Sequence, residues 1–584
     1  MPRVNGLPVE ERERCPILEH PMGGDFLPHK LAENAVVHGV SIVPSLNAST
    51  GTSRDLSSSR AVLGLAVTAF VLSFLLSHAY PLLDPDEGRN AEVAREMAAS
   101  GSLLVPTLAG MPYLDKPPGF FWAGALAIRL FGATPWAARL PAALAAALTL
   151  GLLGTSAARR LPRRTVLLAV GLLATAPLFA VLSAYVIFDI PLTLCVTALW
   201  VLLAEEVERG PGTLRRAAMF AAVVLGVLIK GPVMLAWALG GSLGAAILLR
   251  AWTPLKWLRW PWGWVIVLGA AGGWFALASA RFPEYPRYAF LEESLERITT
   301  GSFHREHPLW FVPLILIAGA LPWSLATPWT IRVSKTARVG LGFVLFAVLF
   351  FTASHSKLAT YLLPCFPPMV LVAAESWNAA KDTRRGVWRV LAVYAALALL
   401  LAAVGWGWVS LPRKDVVLPF QAIALALAAA FAVLSGLSAL AALTRRAGFA
   451  IAALLAFTPV SLAVAGPALI DYAISQSGEP LGRAIAAAAP EGAVRFEHCY
   501  SAGTEFTLGG RCTLLSERGA ETTSTYQARY RETLIARGQW TILSSIPSPD
   551  TVAVIVRPNR IPDGIPPAGM KVFFRDRRFI AYTR

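Results

Sequence analysis

Between Asp84 and Pro118 the chain reads DPDEGRNAEVAREMAASGSLLVPTLAGMPYLDKPP, directly after a long apolar run. The stretch gathers Asp84, Asp86, Glu87, Arg89, Glu92, Arg95, Glu96, Asp115 and Lys116 in a protein whose charged residues make up 15% of the chain. Acids held at the edge of an apolar run, partly stripped of water, suit proton abstraction or cation binding. Asp86 and Glu87 stand where that run gives way to an amphipathic helix over about 88–99. Capping of this helix is the competing role for both, and the leading one for Glu87. Arg89 and Arg95 read as ion-pair partners of these acids. Lys116 precedes Pro117 and Pro118, which stiffen the chain into an extended form. A lysine there is either a point charge for a phosphate or an ordinary interfacial snorkel. Glu87 and Asp115 are further candidates to hold a metal ion or an acceptor group.

Three more polar segments interrupt the apolar sequence. Asp189, in YVIFDIPLTL, would cost about 2.5–3.5 kcal/mol near a helix centre. At a helix end, with Pro191 in the first turn, it is equally a cap and a candidate catalytic acid. The segment 281–307 supplies Glu292, Glu293, Glu296, Arg297, His304, Arg305, Glu306 and His307. Its HREH lacks a histidine pair at helical spacing, so a protein-held zinc is the weaker reading. An arginine gripping a phosphate through two bonds is the stronger one. SHSKLATYLLP adds His355, Lys357 and Tyr361, of which the last two stand one helical turn apart. On one helix face, a lysine and a phenol would grip one phosphate together.

Such residues must be held by something that brings distant segments together, and composition says what. Hydrophobic residues make up 55% of the chain and its mean hydropathy is +0.55. Repeated Ala/Leu-rich runs approach the roughly twenty residues of a membrane-crossing helix, the structure that satisfies its own backbone in lipid. The net charge of +16 belongs to short loops between these runs, where it sets topology rather than binding nucleic acid. Basic clusters occur at Arg159–Arg164, Arg215–Arg216, Arg250–Arg259, Arg332–Arg338, Lys381–Arg389 and Arg445–Arg446. Thirteen spans put all six on the cytoplasmic side: 61–80, 135–158, 165–184, 189–205, 216–231, 232–250, 262–280, 309–329, 337–353, 358–374, 388–411, 419–442 and 447–468. The segment 118–132 is too short for a span, carries Arg129, and is expected to lie along the outer interface. The four polar segments then share the outer face.

Residues 1–60 read as a polar cytoplasmic tail and 61–470 as the transmembrane domain, with outer catalytic loops at 81–134 and 281–307. Residues 471–584 read as a small soluble α/β domain on the outer side, with strands at TVAVIVRP and KVFFRDRRFIAYTR. Cys499 and Cys512 fall there, and an oxidising compartment would permit a disulfide between them. Cys195 and Cys365 are expected to be packing residues.

Taken together, DPDEGRNAEVAREM, GSLLVPTLAGMPYLDKPP, FGATPWAARLPA, GVLIKGPV, FHREHPLWFVPLILIAGALPWSL and SHSKLATYLLPCFPP resemble the bacterial branch of the protein O-mannosyltransferase-like superfamily. The group resembled is the one typified by the aminoarabinose transferases of lipid A. The resemblance covers about residues 80–370 and implies a GT-C fold with about thirteen transmembrane helices and a periplasmic C-terminal domain. It also implies a glycosyltransferase that moves a sugar from a polyprenyl phosphate donor to lipid A, another glycolipid or a protein, at the outer face of the bacterial inner membrane. By the family's motifs, Asp86 and Asp189 would be catalytic, and Lys116, Arg305 and Tyr361 would hold the donor phosphate; Lys357, one turn from Tyr361, is a further candidate for that phosphate. Glu87, Asp115, His304 and His355 would face a divalent metal or the acceptor. Asp115 stands where the family commonly has Glu, and Asn90 where it often has Tyr. The competing function is a transporter or flippase of lipid-linked sugars. Transporters place their functional charges near the midplane of internal repeats, whereas here the charges gather at one boundary and no repeat is evident.

Overall fold

Helices begin where an apolar run meets a cap or a proline. Thr134 accepts a hydrogen bond from the backbone N–H of Ala137 at 3.3 Å, and Pro135 fills the first position of helix α4 (Pro135–Ala158). The other helices of the first half are α1 (Gly51–Ala79), α2 (Asp86–Ser100), α3 (Gly119–Phe131), α5 (Arg163–Ala174), α6 (Pro177–Leu182), α7 (Asp189–Arg209), α8 (Thr213–Lys230) and α9 (Val233–Leu249). This computed structural model describes residues 51–299, 306–330, 333–380, 383–406, 420–444, 446–489, 491–516, 520–541, 551–558 and 569–583. Most of the expected tail, His304, Arg305, and Arg332, Lys381 and Arg445 of the basic clusters lie outside the described residues. The first helix starts at Gly51, ten residues before its apolar portion, because its polar first turns extend beyond it.

Eight helices among the described residues are long and apolar enough to cross a membrane, and each coincides with an expected span. The protein is a multi-pass membrane protein. The other five expected spans are helical but short, charged or broken. Residues 165–184 divide into α5 and α6 at Pro177, and 309–329 divide at Pro322 into Phe311–Ala318 and Trp323–Ala326. In 358–374 a 3₁₀ turn, Ala359–Cys365, precedes the helix Phe366–Ala379. Proline removes the backbone donor that a continuous helix needs, so interruption at these sites follows from the sequence. At 13 residues, α3 is about 20 Å long, too short to cross.

α7 fixes the two ends of the membrane domain, being 21 residues and so about 30 Å long. Its last turns carry Glu205, Glu206 and Glu208, which pair with Arg159 (2.8 Å), Arg216 (2.6 Å) and Arg160 (2.7 Å). Its first residue is Asp189, at the opposite end. Near α7, α9 and the helix Lys335–Ala353 approach so closely that a side chain on Gly244 would meet the backbone of Gly342 at 2.1 Å. Small residues permit such a crossing inside a bundle.

The long helix Ala447–Gln476 leads into the C-terminal region, a five-stranded mixed sheet flanked by short helices. In the order of the chain, after the two-residue hairpin strands β1 (Thr107–Leu108) and β2 (Met111–Pro112), its strands are β3 (Ala493–Glu497), β4 (Cys512–Leu515), β5 (Thr551–Val556), β6 (Lys571–Arg575) and β7 (Ile580–Thr583). The spatial order is β4-β3-β5-β7-β6, with β3 parallel to both neighbours and β7 antiparallel to both of its own. This geometry corrects the disulfide expectation. Cys512 stands opposite Val494, whereas Cys499 lies five residues farther along, a separation of about 16 Å that no disulfide spans. Both thiols are free, and burial pushes that of Cys499 up to about 12.

Candidate active site

A buried ion pair holds the first loop in place. Glu87 and Arg139 are both fully buried and meet through two bonds, at 2.7 and 2.8 Å. Arg139 also donates to the carbonyls of Ser77 (2.7 Å), Tyr80 (2.8 Å) and Pro81 (2.9 Å), so it ties off the end of α1. Glu87 in turn accepts from the backbone N–H groups of Leu83 and Val186, both at 3.0 Å. Its four bonds leave no lone pair aimed outward, which corrects the expectation that Glu87 meets a metal or an acceptor. One residue earlier, Asp86 opens α2 and points the other way: its side chain is 58% exposed and pairs with Arg89 at 2.6 Å. It makes no capping bond. Its carboxylate thus stands on the start of a helix and open to solvent.

Lys116 and Tyr361, two of the residues expected from sequence, line one cavity of about 290 Å³, and a third, Asp189, is tied to it through Lys230. Lys116 and Tyr361 stand in its wall; Asp189 stands behind, bound to the wall residue Lys230, whose ammonium lies 4.7 Å from the centre of the Tyr361 ring. Lys116 donates to Glu293 at 2.5 Å and to the carbonyl of Asp115 at 2.8 Å. Trp237, Phe350, Phe351, Val233 and Leu192 complete the wall. The cavity is thus apolar with two ammonium groups and a phenol gathered in it, a surface suited to an isoprenoid or acyl chain ending in phosphate.

Asp189 is the first residue of α7 and makes no cap bond; it is buried and serves Lys230. Lys230 closes α8 in the sequence LIKGP, and Gly231 beyond it takes φ +81°, a conformation glycine adopts freely. The signal for Lys230 was a lysine ending an apolar helix, indistinguishable by itself from a snorkel. Glu293 was named in sequence but not as a partner for Lys116.

The C-terminal domain grips the same loop. Asp115 accepts from the backbone N–H groups of Thr525 (3.1 Å) and Tyr526 (2.8 Å) and from the Tyr288 hydroxyl (2.5 Å). It therefore acts as a brace, and it also stands in the wall of the cavity beside Lys116. The Gln527 amide donates to the carbonyls of Leu108, Met111 and Pro112. Lys357 is buried and donates to the Ser354 carbonyl at 2.6 Å. Because the helical turn starts only at Ala359, it shares no face with Tyr361, and Ser354 and Ser356, not Lys357, line the cavity. His355 is exposed; His304 and Arg305 lie outside the described residues.

Among the described residues, the carboxylates that do gather are Glu92 and Glu96 of α2 with Glu505, their oxygens within 4.8 Å of one another. Glu92 is held through two bonds by Arg95 (2.6 and 2.7 Å), Glu96 accepts from the Gly110 N–H, and Glu505 takes the Tyr500 hydroxyl. Burial, with the charge of Glu96 adding, pushes the Glu505 carboxyl up to about 7. Burial likewise raises Glu92 and Glu96. Nearer Asp86, burial keeps the Tyr113 phenol protonated well above its usual range; Arg89 opposes this and Asp115, Glu293 and Asp86 add to it. That phenol feels both Asp86 and the Lys116–Glu293 pair, so the two lie in one electrostatic neighbourhood.

Residues 115–274 match the family of dolichyl-phosphate-mannose-protein mannosyltransferases. The undecaprenyl phosphate-alpha-4-amino-4-deoxy-L-arabinose arabinosyl transferase of Aeromonas salmonicida is 30% identical over 356 residues, 56% of this chain and 65% of that protein. Its counterpart in Edwardsiella ictaluri is 33% identical over 324 residues, 52% of this chain and 57% of that protein. The match thus spans less than two thirds of the length of either relative. In fold, the chain superposes on the crystal structure of ArnT from Cupriavidus metallidurans bound to undecaprenyl phosphate, with a TM-score of 0.74 and 23% identity, over 90% of this chain and 98% of that one. The chain is thus a multi-pass membrane protein with the GT-C fold of that structure.

Proposed function

We propose that the protein is a glycosyltransferase that moves a sugar, 4-amino-4-deoxy-L-arabinose or a related one, from undecaprenyl phosphate to lipid A or another envelope acceptor. The observation that carries this reading is the apolar cavity in which Lys116, Lys230 and Tyr361 meet. The printed activities of the relatives and the lipid phosphate bound by the protein of like fold support it. The chain lies in the bacterial inner membrane with this cavity and the C-terminal domain on the periplasmic side, a reading supported by the basic clusters at the far end of α7.

In the reaction, an acceptor oxygen attacks the anomeric carbon, a glycosidic bond forms, and the bond from that carbon to the lipid phosphate breaks. The phosphate leaves with the bonding electron pair, and Lys116, Lys230 and Tyr361 receive the charge that develops on it. Before the donor arrives the two ammonium groups rest on Glu293 and Asp189, which hold them in place without neutral neighbours having to reorganise. If the acceptor is a hydroxyl, Asp86 takes its proton; if it is a phosphate, no strong base is needed and Asp86 orients it or binds an accompanying divalent cation.

Lipid-linked sugar pools measured by mass spectrometry in cells carrying the wild-type chain, Asp86→Asn and a deletion test the reading. The expected result is one polyprenyl phosphate sugar accumulating in both defective strains, with one glycan product lost. An unchanged pool, with Asp86→Asn equal to wild type, would sink it and favour transport of a lipid-linked sugar.

A further inference from the structure

A second cavity, of about 600 Å³, opens where α2 meets the C-terminal sheet. Four arginines line it: Arg89 from α2, Arg557 just past β5, and Arg577 and Arg578 from the turn between β6 and β7. Against them stand two carboxylates, Asp84 and Glu521, both already engaged. Asp84 accepts from the Ser501 hydroxyl (2.5 Å), the Gly503 N–H (2.9 Å) and Arg578 (3.1 Å). Glu521 accepts from the Ser516 hydroxyl at 2.6 Å. The lining therefore carries an excess of positive charge in a concave site, which concentrates anions. Arg557 and Arg577 are exposed.

Arg89 links this cavity to the candidate base. Thr523 stands in the left-handed region at φ +60°, and from there turns both its hydroxyl (2.6 Å) and its carbonyl (3.4 Å) onto one nitrogen of Arg89. The other terminal nitrogen holds Asp86 at 2.6 Å. A ligand seated among these guanidinium groups thus lies one side chain away from Asp86. A neutral sugar has no use for clustered guanidinium groups, whereas their planar forks match phosphate.

We propose that this cavity binds a phosphate group carried by the acceptor glycolipid at a position away from the bond being made. The inference rests on the transfer reading above and deepens it: the C-terminal domain selects a phosphorylated glycolipid headgroup and aims it at Asp86. Full-length protein in nanodiscs, examined by native mass spectrometry, tests it with three probes: a bisphosphorylated disaccharide lipid, the same lipid dephosphorylated, and inorganic phosphate. Wild type should retain the phosphorylated lipid, and Arg557→Glu/Arg577→Glu should retain it about tenfold less, the loss of one charge-assisted contact or more. The dephosphorylated lipid should bind weakly to both. Arg557→Gln/Arg577→Gln, with melting checked against wild type, separates loss of charge from loss of fold. Retention unchanged by charge reversal, or retention of inorganic phosphate without the lipid, would overturn the proposal. Because binding is read without turnover, an arginine-dependent lipid complex in a protein that transfers no sugar would uphold the site and refute the transfer reading alone.

Discussion

Replacing Arg139 by methionine separates the scaffold of the first loop from its chemistry. The change leaves the Glu87 carboxylate buried without its cation and strips three carbonyls, those of Ser77, Tyr80 and Pro81, of a donor. Breaking a buried pair by removing one partner costs about 3–5 kcal/mol. Each carbonyl that stays dry adds about 1–3 kcal/mol, though not additively. A loss of at least about 3 kcal/mol is therefore expected. Labelling by a fluorogenic thiol dye during heating reads it directly, since Cys195, Cys365 and Cys499 are buried and free in the native state. Glu87→Gln/Arg139→Met should recover part of the loss, because a neutral amide tolerates burial that a lone carboxylate does not. The contrasting variant is Asp86→Asn, expected to melt like wild type because its side chain is mostly exposed. Should Arg139→Met cost less than about 1 kcal/mol, or should the two changes prove additive in the double variant, the pair is not the lock described.

Tyr361→Phe and Lys116→Ala should each lower transfer about 10²-fold or more if they receive the leaving charge, measured as kcat with purified donor, while melting is unchanged for Tyr361→Phe. Docking of the C-terminal domain should weaken as pH rises. The Glu505 carboxyl is raised to about 7 when folded, so its contribution is complete below the ordinary carboxylate range and is lost as pH climbs through about 7. Hydrogen exchange around Gly509, whose carbonyl accepts from Arg95, follows this, and Glu505→Gln should flatten the pH dependence. A reductant should leave the melting transition unmoved, since Cys499 and Cys512 are unlinked.

Which parts of this were legible in the sequence follows from what each depends on. The boundaries of α4 were readable because an apolar run meets Thr134 and Pro135, and the existence of α2 because polar and apolar residues alternate at helical spacing. The broken spans were misjudged as continuous because hydropathy averages over Pro177, Pro322 and Pro364. Lys116, Asp189 and Tyr361 could be placed on one side of the membrane from loop charge alone. That Asp189 serves Lys230, and that Glu87 faces inward while Asp86 faces outward, depends on long-range partners, Lys230 and Arg139, which no local pattern announces. The partners of Asp115 and Lys357, the Tyr526 backbone and the Ser354 carbonyl, were illegible for the same reason: tertiary packing sets them.

The grip of the C-terminal domain on the first loop also sets an order of assembly. Asp115 precedes Thr525 by 410 residues and Arg89 precedes Thr523 by 434. At about 5–20 residues per second, synthesis of the intervening chain takes on the order of half a minute. Throughout that interval the loop bearing Asp86 and Lys116 has been delivered while the groups that brace it do not yet exist. A ribosome that stops before residue 525 leaves a full set of membrane helices around an unbraced loop. The contacts of Thr523, Thr525 and Tyr526 with this loop form only once the chain beyond residue 525 has been made.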